Sequence, residues 1–459
     1  MNNDMTKGKI LPALIRFTIP ILIGDVFQQL YNIVDTIIVG RTLGAGALGA
    51  VGATGTLMFL ILGFIMTLGA GFAVVTSQRF GAHDEEGVRK SFASAIILMT
   101  GFGIILTVLS SAFLDPLLRL MNTPEDIYAD SYSYISVICG GLLAPVFYNL
   151  LATNLRAIGN SKIPLYFLIL SSFLNIALDF VFILTFKMGV AGAALATIVS
   201  QLISAVLCAI YTFIKVPELR PRKGDWKFSS GIVKSQLTIA IPMAMQTAIT
   251  ASGTVIMQAA TNSFGSTAVS AITAANKCKN IFTQPFMSIG SSIATFTGQN
   301  YGAGDMKRVK EGVYTTAKII SVYAIIVAVL VYVLLPWELA IFIDDAAVID
   351  QLMVWAKPYV LASASMFLLL AYIFVFRSAI QGVGKSVYAM IGGMIELLMR
   401  VILAFLALQF NSYSIAIWCD PGAWIGAGVF LTVVFFIVSN KMEKQLNSRK
   451  NQEQDLAAK

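Results

Sequence analysis

Charge is what this sequence has least of. Only 12% of its 459 residues are Asp, Glu, Lys or Arg, about half the share of a soluble domain. There is one histidine, His83, set beside Asp84, Glu85 and Glu86, a solvated neighbourhood rather than a metal site. The four cysteines, Cys139, Cys208, Cys278 and Cys419, show no CxxC spacing. They read as small unpaired hydrophobes, not as a zinc or redox centre. No GxxxxGK[ST] run occurs, so a P-loop nucleotide site is excluded as the driver of any activity. No nucleophile–base pair or ligand cluster stands out, so an enzyme acting inside a membrane is not expected. The start, MNNDMTKGKILPALIRF, lacks a short apolar region followed by a small-residue cleavage site. Its first helix is expected to remain as a membrane anchor.

Apolar residues are abundant instead, at 57%. They fall into blocks long enough to cross a bilayer as helices. Twelve such blocks lie near 14–39, 47–77, 91–113, 127–155, 164–186, 191–214, 236–261, 268–296, 314–335, 355–376, 386–409 and 420–440. The fold class expected is an all-α integral membrane protein. The net charge of +8 does not point to nucleic acid, because of where it lies. With a cytoplasmic N-terminus, the cytoplasmic connections and tails hold 25 of the 32 Lys and Arg residues, against four (Arg41, Arg119, Lys187, Lys357) on the other side. Lys277, Lys279 and Arg400 lie inside helices. This bias places both termini in the cytoplasm of a multi-pass plasma-membrane protein. The outer loops are acidic, with Glu125, Asp126, Asp344 and Asp345.

The longest polar stretch, residues 216–234, divides the chain. The expected organisation is a lobe at 1–215, a cytoplasmic linker at 216–234, a second lobe at 235–440 and a cytoplasmic tail at 441–459. The halves echo each other. TSQRFGAHD (76–84) matches TGQNYGAGD (297–305) at five of nine positions. RFTIP (16–20) faces TIAIP (238–242), and LRAIGNSK (155–162) faces SAIQGVGK (378–385). Six helices per half give both halves the same orientation, related by a pseudo-twofold axis along the membrane normal, an arrangement known in transporters. The GAHD and GAGD loops are read as structural, with Gly relaxing the turn and the acids capping a short interfacial helix.

Polar residues within spans are costly and mark function. The first span carries Asp25, Gln28, Asn32 and Asp35, spaced 3, 4 and 3, on one helical face about 80° wide. Pro20 precedes them and is a candidate hinge. The fifth span has Asn175 and Asp179 at i and i+4; the sixth adds Thr197, Ser200 and Gln201. Two carboxylates, an amide and a hydroxyl suit a proton or a hard cation such as Na⁺. Such groups can also serve only to join helices. In the second half, Gln246, Lys277, Asn280 and Gln284 are cavity candidates; Lys277 is either a counter-charge or a snorkelling residue. Glu396 and Arg400, at i and i+4, are expected to pair as a structural element.

With LYNIVDTIIVG, GAHD, LRAIGNSK, NIALD, GVAGAALAT and GQNYGAGD, the chain resembles the multidrug and toxic compound extrusion (MATE) family over nearly its whole length. It is most similar to the prokaryotic branch with a cation or proton site in the N-lobe. The resemblance implies that Asp35, Asn175, Asp179 and Thr197 form that site, joined by Tyr134 and Asn154 of the fourth helix. It departs from the branch using a glutamate in the seventh helix and an aspartate in the tenth. The implied activity is efflux of cationic amphipathic drugs by antiport with H⁺ or Na⁺, without a cofactor, by a monomer in the bilayer. Small organic cations are the implied partners, and nucleic acid is not. A flippase for a lipid-linked precursor is the alternative. It would want a basic cavity, whereas the N-lobe core is acidic.

Overall fold

The computed structural model describes residues 4–121, 123–227, 229–340 and 346–457, and among these the chain is helical throughout, with no strand. The first half contains α1 (Ile10–Leu43), α2 (Ala45–Gly81), α3 (Glu85–Ala112), α4 (Leu114–Leu120), α5 (Glu125–Gly140), α6 (Leu143–Ala157), α7 (Lys162–Asp179) and α8 (Gly189–Lys215). The second contains α9 (Ser230–Asn262), α10 (Ser266–Gly302), α11 (Met306–Ala340), α12 (Ala346–Ser365), α13 (Phe367–Gly382), α14 (Ser386–Gln409), α15 (Tyr413–Ala416) and α16 (Cys419–Ala457). Asp344, Asp345 and the side chain of Cys278 lie outside the described residues. Cys139, Cys208 and Cys419 are buried free thiols.

Among the described residues, nine helices are each long and apolar enough to cross a bilayer, and two bent pairs add two more spans. The twelfth rod is α10, which has 37 residues. Lys277 and Lys279 in its apolar part lower its hydropathy. The segments 127–155 and 355–376 are not straight spans. They are the pairs α5–α6, bent by 49°, and α12–α13, bent by 47°. The fifth segment is also irregular, since α7 passes into a π-turn at Phe180–Thr185. Pro20, expected as a hinge, lies inside an unbroken α1.

α1 shows how the sequence divides between lipid and protein. Leu11, Ile15, Ile19, Val26, Leu30, Ile33 and Ile37 are exposed large hydrophobics at helical spacing. In a membrane such a stripe meets acyl chains, which impose no cost on it. The opposite side, with Phe17, Ile21, Asp35 and Ile38, is buried. Gly24 lies on it too, and a Cβ there would sit 3.3 Å from Leu168 of α7.

The chain forms two compact units, residues 1–4 with 16–244 and residues 5–15 with 245–459. The division falls inside α9 and not in the polar linker at 216–234. The linker's first part folds onto the first unit. Val216 and Leu219 are buried in its core, and Asp225 accepts from Arg89 Nε at 3.1 Å. The first fifteen residues of α9 join the same core through Ala240 and Ala244. There, a Cβ on Gly71 of α2 would lie 2.4 Å from Ala240 Cα, so only glycine permits that approach.

The internal repeat is visible in the turns. After α2, the backbone N–H of Asp84 donates to Arg79 O at 3.1 Å; after α10, that of Asp305 donates to Asn300 O at 3.0 Å. The residue before each acid is left-handed, His83 at φ 54° and Gly304 at φ 72°. Asp84 then caps α3 by accepting from Gly87 N, and Asp305 caps α11 by accepting from Arg308 N. The capped helices are therefore long spans, not short interfacial ones. The turns after α6 and α13 match in the same way, with Gly159 at φ 87° and Gly384 at φ 80°.

Candidate functional site

The residues singled out on α1, α7 and α8 meet inside the first unit. Asp35 and Asp179 turn their carboxyl groups toward each other. Asp179 is fully buried, Asn175 nearly so, and Asp35 and Thr197 are also buried. Asn175 and Asp179 face the same way because they are one turn apart on α7. With its amide turned so that both ends find partners, Asn175 donates to Asp179 Oδ2 at 3.2 Å and accepts from Thr197 N at 3.1 Å. Thr197 Oγ1 donates to Ala193 O at 3.2 Å within α8. One oxygen of each acid, Asp35 Oδ1 and Asp179 Oδ1, is buried with no hydrogen-bond partner among the described residues. The helix widens at this point, since the π-turn begins directly after Asp179. Such turns recur at functional positions.

Tyr31 belongs to this cluster and was missed by the stripe of polar residues. Its side chain faces Thr197 and the two acids, and it stands four residues before Asp35 on α1. The polar stripe through Asp25, Gln28, Asn32 and Asp35 runs obliquely across the helix. Asn32 is exposed, while Asp25 and Gln28 are half-buried. The buried side is reached at Asp35. The i, i+4 relation of Tyr31 to the acid, within LYNIVD, is the signal that would have found it.

Tyr134 is buried in the apolar cluster that packs around this site, with Ile38, Ile183 and Ile198. Asn154, expected with it, is engaged elsewhere. It accepts from Thr76 Oγ1 at 2.8 Å and donates to Leu150 O at 2.8 Å. It sits past the α5–α6 bend, among residues of the other core cluster. A bend of 49° sends the two ends of the fourth span to different neighbours, which linear spacing does not reveal. Gln201, one turn beyond Thr197, is half-buried with Oε1 unpartnered among the described residues.

In the second unit the candidates scatter. Gln246 is buried and donates to Thr250 Oγ1 at 3.2 Å. Lys277 and Asn280 are exposed, and Gln284 is half-buried. The buried cation of α10 is Lys279, whose Nζ donates to Tyr359 OH at 2.7 Å. The expected Glu396–Arg400 pair exists only loosely, at 3.7 Å. Each member has a closer partner from another helix. Arg377, which the charge count assigned to a cytoplasmic connection, is buried in α13 and pairs with Glu396. Asp420 at the start of α16 takes Arg400 Nε at 3.0 Å. Intrahelical spacing finds neighbours on one helix and is blind to partners from the next.

The fold and this geometry can be set beside known proteins. Over 309 residues the chain is 35% identical to YpnP of Bacillus subtilis, named a probable multidrug resistance protein, covering 67% of this chain and 68% of that one. It is 25% identical over 453 residues to the probable multidrug resistance protein NorM of Thermotoga maritima, covering 95% and 94%. A crystal structure of MATE in complex with MaL6 superposes with a TM-score of 0.87 at 23% identity, over 97% of this chain and 99% of that one. The MatE family model matches residues 20–181 and 242–406, one segment in each half and most of the chain together. The chain therefore belongs to the MATE family of membrane transporters.

Proposed function

We propose that this protein is a secondary active exporter of cationic amphipathic organic compounds, driven by inward movement of a coupling cation through the Asp35–Asp179 site. The carrying observation is the convergence of two buried carboxyl groups, Asp35 and Asp179, beside Asn175 and Thr197 in the first unit. Two carboxyls held together away from water do not both carry bare charge; a bound proton or cation between them relieves the repulsion. The site is thus a place that is loaded or empty, which is what coupling to an ion gradient requires. Relatives named for multidrug resistance support the substrate class.

We favour the proton as the coupling ion. Asn175 turns its N–H toward Asp179 and its oxygen toward a backbone N–H, which leaves fewer oxygens for a metal ion. Na⁺ wants several oxygens converging on it. We place the transporter in the plasma membrane as a monomer with cytoplasmic termini. The concentration of Lys and Arg in one set of connections supports that orientation of the termini.

Purified protein in liposomes tests the reading. A pH gradient without Na⁺, then a Na⁺ gradient at fixed pH, is imposed while flux of an organic cation is followed. The expected outcome is flux under the pH gradient. Flux under the Na⁺ gradient alone would reverse the choice of ion, and no flux under either would overturn coupled export. Vesicles carrying a labelled lipid-linked precursor supply the remaining arm, where translocation of the precursor instead of the organic cation would establish a flippase.

A further inference from the structure

The second unit contains a buried chain of alternating charge that the coupling site does not use. Arg377 of α13 pairs with Glu396 of α14. Glu396 Oε2 lies 3.7 Å from Arg400 Nη1, one turn along the same helix. Arg400 Nε donates to Asp420 Oδ1 at 3.0 Å, and Asp420 Oδ2 lies 3.9 Å from Lys279 Nζ. Lys279 is held at its other side by the Tyr359 hydroxyl and by the ring faces of Tyr359 and Trp424, 5.0 Å and 5.5 Å away. All five charged residues are buried.

The chain does not close electrically. It holds three cations and two anions, so one positive charge has no counter-charge among the described residues of the network. The unfilled hydrogen-bonding capacity lies at its Arg377–Arg400 end. Arg377 Nε and Arg400 Nη1 are buried with no hydrogen-bond acceptor among the described residues. These side chains are only 11% and 4% exposed. A guanidinium buried in apolar surroundings normally has its donors filled by carboxylate, phosphate or carbonyl oxygens. Beside Arg400 Nη1 the neighbouring helix α9 carries Gly253, and a Cβ there would sit 2.9 Å from that nitrogen. Only glycine there lets the Arg400 guanidinium lie this close to the α9 backbone. Both guanidinium groups face the one carboxylate of Glu396, which leaves them together one negative charge short.

We propose that the Arg377–Glu396–Arg400 cluster of the second unit is an anion-binding site, taking one small monovalent anion between the two guanidinium groups. Chloride and a carboxylate group share the chemistry required: one negative charge and acceptor capacity for two N–H donors. The site is separate from the Asp35–Asp179 pair and does not rest on the transport reading.

The test uses the purified full-length protein in detergent, with gluconate replaced by chloride, acetate or benzoate at constant ionic strength, and thermal unfolding followed through tryptophan fluorescence. A saturable rise in Tm with chloride or acetate is expected for the wild type and for Asp35→Asn. Saturation by benzoate as well extends the site to the carboxylate of an organic molecule; saturation by the small ions alone assigns it to an ion of the medium. Either pattern supports the site. Arg377→Gln should shift half-saturation at least tenfold upward. Should that variant not fold, Gly253→Ala keeps every charge and fills the space beside Arg400 Nη1, and it too should shift half-saturation upward. Glu396→Gln, which removes the internal competitor, should saturate at lower concentration. A wild type indifferent to all three anions, or variants saturating where the wild type does, would overturn the proposal.

Discussion

The two units share a skeleton and differ in the sign of what they bury. Their turns match bond for bond at Asp84 and Asp305, and the α5–α6 and α12–α13 spans bend by nearly the same angle. Counted from the common turn at Asn160 and Lys385, Asn175 of α7 and Arg400 of α14 hold the same place. In the first unit that place carries an amide beside two acids. In the second it carries a guanidinium within a network of three cations and two acids. A duplicated backbone therefore fixes where a buried polar group stands, and side-chain identity decides the sign of the charge gathered there. The physical reason is that helix geometry depends on local turns and caps, whereas buried charge depends on which residues converge from other helices.

The comparison breaks most sharply at the carboxyl pair. Asp35→Asn keeps the shape of the side chain and removes one of two facing acids. Organic-cation flux in proteoliposomes should fall to the level of empty vesicles, while thermal stability should hold or rise as repulsion is relieved. Normal flux in this variant would remove the coupling role from α1. The corresponding change in the second unit should do the opposite. Glu396→Gln leaves Arg377 and Arg400 without their shared acid, and breaking a buried pair from one side costs about 3–5 kcal/mol. A large drop in Tm in gluconate, partly restored by chloride, is the expected reading; an unchanged Tm would deny the network a structural role.

Smaller effects sharpen the picture. Tyr31→Phe removes the one hydroxyl that α1 turns toward Thr197 and the two acids. Flux should decline only several-fold, with its pH dependence altered, and retention of the wild-type pH profile would show that Tyr31 merely packs. Smallest are the caps. Asp84→Ala and Asp305→Ala should each cost about 1 kcal/mol of stability, and by equal amounts. Unequal losses would mean that the two turns, alike in geometry, carry different loads.

Much of the fold is legible along the chain because each long apolar block declares a helix by itself. Lipid demands that backbone groups be satisfied within the segment, so the twelve apolar blocks are visible along the chain, and the loop repeats reveal the duplication. α10 is the harder case, since its lysines dilute its hydropathy. The α5–α6 bend does leave a mark in the sequence, Gly140 and Gly141 followed by Pro145, which cannot bond back to residue 141. The α12–α13 bend at Met366 has no proline at its break and depends on packing.

The site divides in the same way. Asp35, Asn175, Asp179 and Thr197 could be named from the sequence, since an acid within an apolar span stands out against lipid and i, i+4 spacing sets two of them on one face. That Tyr31 joins them, that Asn154 bonds Thr76 instead, and that Lys279 rather than Lys277 is the buried cation were decided by tertiary structure alone. So was the exchange of partners that gives Glu396 to Arg377 and Arg400 to Asp420. Sequence determines which residues are too polar for lipid, because that cost is local to each helix. Which of them meet is fixed only when separate helices pack, since hydrogen bonds and ion pairs reach a few ångströms in space and take no account of distance along the chain.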